Sequence, residues 1–101
     1  MTNRIKKLQQ LAKITNAKAL KEFTEVELNV EDITFKTNQN GEISTILLFA
    51  NDDCFYSTST SVRDNLLMLK DACEGNYEGV KISFRTESTR NGNTTYIMTL
   101  L

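Results

Sequence analysis

Residues Ile43 to Ser61, ISTILLFANDDCFYSTSTS, restrict the fold of this chain more than any other stretch. An apolar run leads into a turn at Asn51, Asp52 and Asp53, then a short run carrying Phe55 and Tyr56, then a Ser/Thr cluster suited to starting a helix. From Ile46 onward the apolar residues occupy both parities, which predicts a strand covered on both faces for part of its length. In the short run that follows, Cys54, Tyr56 and Thr58 share one face and Phe55 takes the other.

The flanks extend this pattern. Thr24 to Lys36 alternates, with Val26, Leu28 and Val30 on one face and Glu25, Glu27, Asn29 and Glu31 on the other. The apolar parity then changes to Ile33 and Phe35. One long strand with a β-bulge produces such a shift, and lets a small barrel curve and serve two edges. Two short strands with a turn at Glu31-Asp32 are the alternative. Asn40-Gly41 marks the hairpin into the next strand. Downstream, Ser61 with Asp64 makes a capping-box-like start, and Val62, Leu66, Leu69 and Cys73 form a core stripe ended at Gly75. Val80, Ile82 and Phe84 point inward on a further strand, leaving Lys81, Ser83 and Arg85 outside. Asn91-Gly92 closes a hairpin with Arg90 at its tip, and the last strand carries Tyr96, Met98 and Leu100 on one face. The order β-β-β-α-β-β predicts a mainly β fold of the small-barrel kind, with the barrel in residues 22–101.

Charge is distributed unevenly. Arg4, Lys6, Lys7, Lys13, Lys18 and Lys21 supply six positive charges in residues 1–21, and all thirteen acids follow. Thr2 to Lys13 reads as a short helix capped by Thr2, with Ile5, Leu8, Leu11 and Ala12 near one face, and it needs a surface to dock on. Ile14 to Ala17 fits a helix or the start of a strand. This basic N-terminal helix or arm is either a nucleic-acid or membrane-surface element or a solvated face without a partner. No apolar run approaches the roughly 18 residues of a membrane span, and no secretory h-region is visible.

The residue types narrow the chemistry. The chain has no histidine, so a nucleophilic triad lacks its usual base. Asp52-Asp53 and Glu31-Asp32 sit at expected turns, where acids are good turn residues. Cys54 and Cys73 have neither the spacing nor the company of a zinc site and read as buried, reduced thiols. The four glycines are isolated and punctuate turns. No enzyme, cofactor or metal is expected. A binding surface remains. Single-stranded nucleic acid is held by bases stacked on aromatic rings and by cations along the phosphates. The candidate aromatics are Tyr56, Phe55, Tyr96 and Tyr77, with Phe35 as a further one, and the candidate cations are Lys36, Lys81, Arg85 and Arg90. Core packing is the competing explanation for each aromatic.

The ordered set ISTILLFA, DDCFYSTS, VRDNLLMLKDA, GVKISFRTES and NGNTTYIMTLL resembles the single-stranded DNA-binding proteins of small protein-primed, short-tailed phages of Gram-positive bacteria. KITNAKALKEF and VELNVEDITF are similar more loosely to the opening strands of that family. The resemblance implies an OB-like five-stranded barrel that coats displaced single strands during phage genome replication, in the cytoplasm of the bacterial host. Tyr56 stands where the family has a tyrosine that stacks on bases, and Tyr96 stands at one of the family's aromatic positions near the last strand. Asp53 replaces a family glycine, and the basic N-terminus departs from the family's pattern, as an oligomerisation helix or an extra phosphate clamp.

Two readings of function follow. The first is non-sequence-specific single-stranded DNA binding, with a phage or host replication protein as a further partner. The second is a small phage protein-binding module that inhibits a host enzyme or replication factor, with Glu25, Glu27, Glu31, Asp52 and Asp53 mimicking DNA charge. The sign of the charge around Tyr56 separates them.

Overall fold

The computed structural model describes residues 2–101, with side chains from residue 8 onward. The chain runs α1 (Thr2–Thr15), β1 (Lys18–Ala19), a 3-10 turn (Leu20–Glu22), β2 (Leu28–Thr37), β3 (Ile43–Ala50), β4 (Asp53–Ser57), α2 (Thr60–Cys73), β5 (Lys81–Ser88) and β6 (Thr94–Leu100). The strands form one curled half-barrel sheet in the order β1-β4-β3-β2-β5-β6. All pairings are antiparallel except β1 with β4, which is parallel. The sequence leads to five strands, and the described residues form six. The additional one, β1, is too short to leave a periodic pattern and exists because it meets the free edge of β4. The expected Thr2 cap and the positions of Arg4, Ile5, Lys6 and Lys7 on a helical face lie outside the described side chains.

The parity change in β2 is a bulge within one strand. Val30 pairs with Ala50 and Asp32 pairs with Phe49, leaving Glu31 as the extra residue. Before the bulge, Leu28 and Asn29 pair with Ile82 and Lys81 of β5, and after it β2 follows β3. The bend therefore hands one strand from one half of the sheet to the other. The strand starts later than its alternation suggests, because Glu25 adopts a left-handed conformation (φ 61°) and turns the chain, leaving Val26 exposed.

Ile46 to Ala50 are all buried, as the double-parity run predicts. Ile46, Leu48 and Ala50 face the main core with Leu28, Ile33, Val62, Leu66, Ile82 and Phe84. Leu47 and Phe49 face the other way with Cys54, under Ile14 and Ala17 of the N-terminal segment. Each fully buried Leu or Phe side chain stabilises the fold by about 1.5–3 kcal/mol, so both layers matter. The β3–β4 turn puts Asn51 and Asp52 at φ 52° and 64°, the positive pair that a tight two-residue hairpin of matching twist demands.

Helix α2 buries Val62, Leu66 and Leu69 as its periodicity requires, with Cys73 half-buried. Its start differs from the capping-box expectation. Ser59 holds the N-cap position and makes no side-chain cap bond, while the Ser61 hydroxyl accepts the Tyr96 backbone N–H at 3.1 Å. That contact satisfies a donor on the edge strand β6, a use that local capping rules do not anticipate. Among the described residues, no helix is long and apolar enough to cross a membrane.

Candidate nucleic-acid interface

The sheet does not close between its edge strands β1 and β6, and a cleft occupies that seam beside the end of β4. Its volume is about 210 Å³, and its walls are Ala19, Lys21, Tyr56, Ser57, Thr58, Ser59 and Tyr96. Tyr56 reaches it from the outward face of β4, where it pairs with Leu47 on one side and Ala19 on the other. It is 41 % exposed despite its size. Tyr96 reaches the cleft from β6, with its ring packed against the edge of the core. Two tyrosines thus line one opening, together with Ser57, Thr58, Ser59 and one lysine, Lys21. A wider polar depression of about 590 Å³ adjoins the cleft at Ser59 and runs past Thr60 and Asp64 to Asn91, Asn93 and Thr95 on the β5–β6 hairpin. Arg90, at the tip of that hairpin, is exposed.

The other expected aromatics are elsewhere. Phe55 is only 3 % exposed and packs edge-on against Phe23, with ring centroids 4.9 Å apart. Tyr77 is 6 % exposed and belongs to the main core. Burial corrects both as stacking candidates. Phe55 alternates against Tyr56 as expected, but its face is the barrel interior. Tyr77 lies in a polar loop whose sequence carries no core signal. Phe35 is exposed, but lies beside the C-terminal half of α2, away from the cleft.

The expected cations do not converge on the cleft. Lys36 is exposed near the end of β2. Lys81 pairs with Glu27 at 3.3 Å and Arg85 with Glu87 at 3.3 Å. Among the described basic residues of the N-terminal arm, expected as an extra phosphate clamp, Lys21 is the one that comes to the cleft. It lines the cleft and has no ion-pair partner among the described residues. The signal for it is the charge excess of residues 1–21, which becomes local once β1 docks on β4.

The acids next to Tyr56 in sequence are compensated. Lys13 Nζ lies 2.8 Å from Asp52 Oδ1, and Lys18 Nζ lies 3.0 Å from Asp53 Oδ2. The Lys13 hydrogen bond, followed by its charge, holds the Asp52 carboxyl below its ordinary value. That same hydrogen bond raises the Lys13 ammonium, with desolvation opposing it. Glu31 accepts the Asp52 backbone N–H at 2.5 Å, and Asp32 accepts from the Gln10 amide at 2.7 Å. With Glu27 paired to Lys81 and Glu31 bonded to the Asp52 N–H, two acids of the expected face have separate partners, and Glu25 sits apart in a left-handed turn. Among the described residues no cluster of three or more His, Cys, Asp or Glu is placed to hold a metal ion. No protein-family model, curated protein or solved structure matches the chain.

Proposed function

We propose that this protein binds single-stranded DNA without sequence preference, acts in phage genome replication in the bacterial cytoplasm, and catalyses no reaction. The observation that carries the reading is the cleft that Tyr56 and Tyr96 line together with Ser57, Thr58, Ser59 and Lys21. Stacking surfaces next to a cation are what single strands need, and every base offers a π-face to them. The sequence resemblance to phage single-stranded DNA-binding proteins points the same way. So does the strand order β4-β3-β2-β5-β6 with a helix after β4, which we read as an OB-like barrel left open at its seam. The charge at the cleft supports DNA over the protein-binding alternative, since Lys21 is its one charged wall residue and Asp52 and Asp53 are matched by Lys13 and Lys18.

The chain has three tyrosines and no tryptophan, so tyrosine emission reports the site directly. Oligo-dT should quench it at low salt, with recovery as salt rises, and duplex of equal length should do much less. Tyr56→Ala should weaken oligo-dT binding by about 1–3 kcal/mol, the usual worth of one stacked base. Absence of both quenching and a gel shift at low salt would refute the proposal, and nuclease-resistant capture of a host replication protein would favour the protein-binding module.

A further inference from the structure

Lysines of the N-terminal segment follow the edge of β4 that β1 covers. Lys18 stands opposite Phe55 and Ala19 opposite Tyr56, in parallel register. Lys21 follows at the cleft, and Lys13 reaches the β3–β4 turn at the far end of the same strand. Two of these three lysines are held by carboxylates, Lys13 by Asp52 and Lys18 by Asp53. We propose that Lys13, Lys18 and Lys21 form a second phosphate-binding row continuing from the tyrosine cleft, and that Asp52 and Asp53 mask two of its charges until the phosphodiester backbone of a single strand displaces them. This inference rests on the single-stranded DNA reading.

The pairs are built to exchange. The Asp52 side chain is 91 % exposed and that of Lys13 30 %, while Lys18 and Asp53 are each 47 % exposed. Exposed pairs of this kind are weak and are screened by salt. A phosphate oxygen offers a lysine the same charge-assisted hydrogen bond that a carboxylate does. It also releases counterions condensed on the strand, a gain that an internal carboxylate does not bring. The turn itself does not depend on the exchanged contact, since Glu31 holds its backbone through the Asp52 N–H. The acids thus keep the row electrically quiet in the free protein and set how much of the lysine charge a strand can recruit.

The test compares proteins of equal charge. Lys13→Gln/Lys18→Gln/Asp52→Asn/Asp53→Asn carries the same net charge as the unmodified chain but has no row. The unmodified protein should bind oligo-dT more tightly than this variant, on the order of fivefold at low salt. Its log-affinity should also fall more steeply with log salt, by up to about 1.4 for two phosphates. Equal affinity and equal slope would overturn the row while leaving the cleft reading intact. Failure of both proteins to bind oligo-dT would overturn both. The second variant, Asp52→Asn/Asp53→Asn, keeps the lysines and unmasks them. It should bind more tightly than the unmodified chain and show the steeper slope. Glu42→Gln/Asp71→Asn makes the same charge change on a distant hairpin and helix. If it reproduces that gain, the effect is a long-range field and the masking idea fails.

Discussion

An exposed-looking tyrosine either finds cover or waits for a ligand, and Tyr77, in the loop before β5, and Tyr56, on the outer face of β4, illustrate the two cases. Tyr56 stays exposed where the cover provided by Ile14 and Ala17 over Leu47, Phe49 and Cys54 stops. Tyr77 is buried, and its hydroxyl has no hydrogen-bond partner among the described residues. Burial, followed by the charge of Asp32, pushes its phenol above the ordinary value. A buried, unpaired hydroxyl costs about 1–3 kcal/mol of desolvation, so Tyr77→Phe should stabilise the protein by about 1 kcal/mol in urea unfolding. A clear loss of stability would mean that the hydroxyl has a partner. Phe55→Ala should act oppositely. It opens a cavity beside Phe23 and should cost about 3–5 kcal/mol, with any loss of DNA binding following from unfolding.

Among the elements, β2 determines how the sheet is shared. Deleting Glu31 would leave Val30 and Asp32 consecutive opposite Ala50 and Phe49, so the in-and-out alternation against β3 would survive. The bend would not. Without it Leu28 and Asn29 cannot swing to meet Ile82 and Lys81 of β5, and the Val30 N–H loses the Val80 carbonyl it bonds at 3.0 Å. The deletion should cost roughly 2–3 kcal/mol. Hydrogen exchange should show lost protection at Val30 and Ile82 with protection kept in Ile46 to Ala50. Uniform loss across both regions would contradict the hand-over role. This bulge was legible because the apolar parity of β2 changes at Glu31. The double-sided burial of β3 and the stripe on α2 were legible for the same reason, since side-chain period follows directly from backbone geometry. Other features depend on what lies across space. The two residues of β1 form a strand only through β4, and Phe55 is hidden by a core that its own short strand does not reveal. Of the site, Tyr56 and Tyr96 were legible as strand aromatics and as positions the family resemblance singles out. Lys21 was legible only as one of six N-terminal bases, because its own place depends on docking beside Tyr56, 35 residues away in sequence.

At the scale of the whole molecule, helix α1 is joined to the sheet by a small apolar contact, a Gln10–Asp32 hydrogen bond and the Lys13–Asp52 pair, so its attachment should depend on pH. The Asp52 carboxyl is held below its usual 3.8, so the stabilisation it contributes is full above that value and lost as pH falls through the depressed one. The Lys13 ammonium is raised above its usual 10.5, so its contribution is full below that value and lost as pH rises through the raised one. Between these limits the contact is constant. Cys54 reports on it, because its thiol is buried with Leu47 and Phe49 beneath Ile14 and Ala17, and burial pushes its pKa up. With Cys73→Ser as background, Cys54 is the sole cysteine, and a disulfide reagent active in acid can follow its exposure. Labelling should be slower with Asp52 than with Asp52→Asn at neutral pH, because the amide lacks the charge that holds Lys13. The two rates should converge as pH falls through the depressed carboxyl value, where Asp52 becomes neutral as well. Equal rates at neutral pH would show that the ion pair does not hold the segment in place. A difference persisting to the acid limit of folding would show that the amide alters the turn by some route other than charge. Convergence ties the cover over β3 and β4 to one exposed carboxylate, the same group that a strand's phosphates would have to replace.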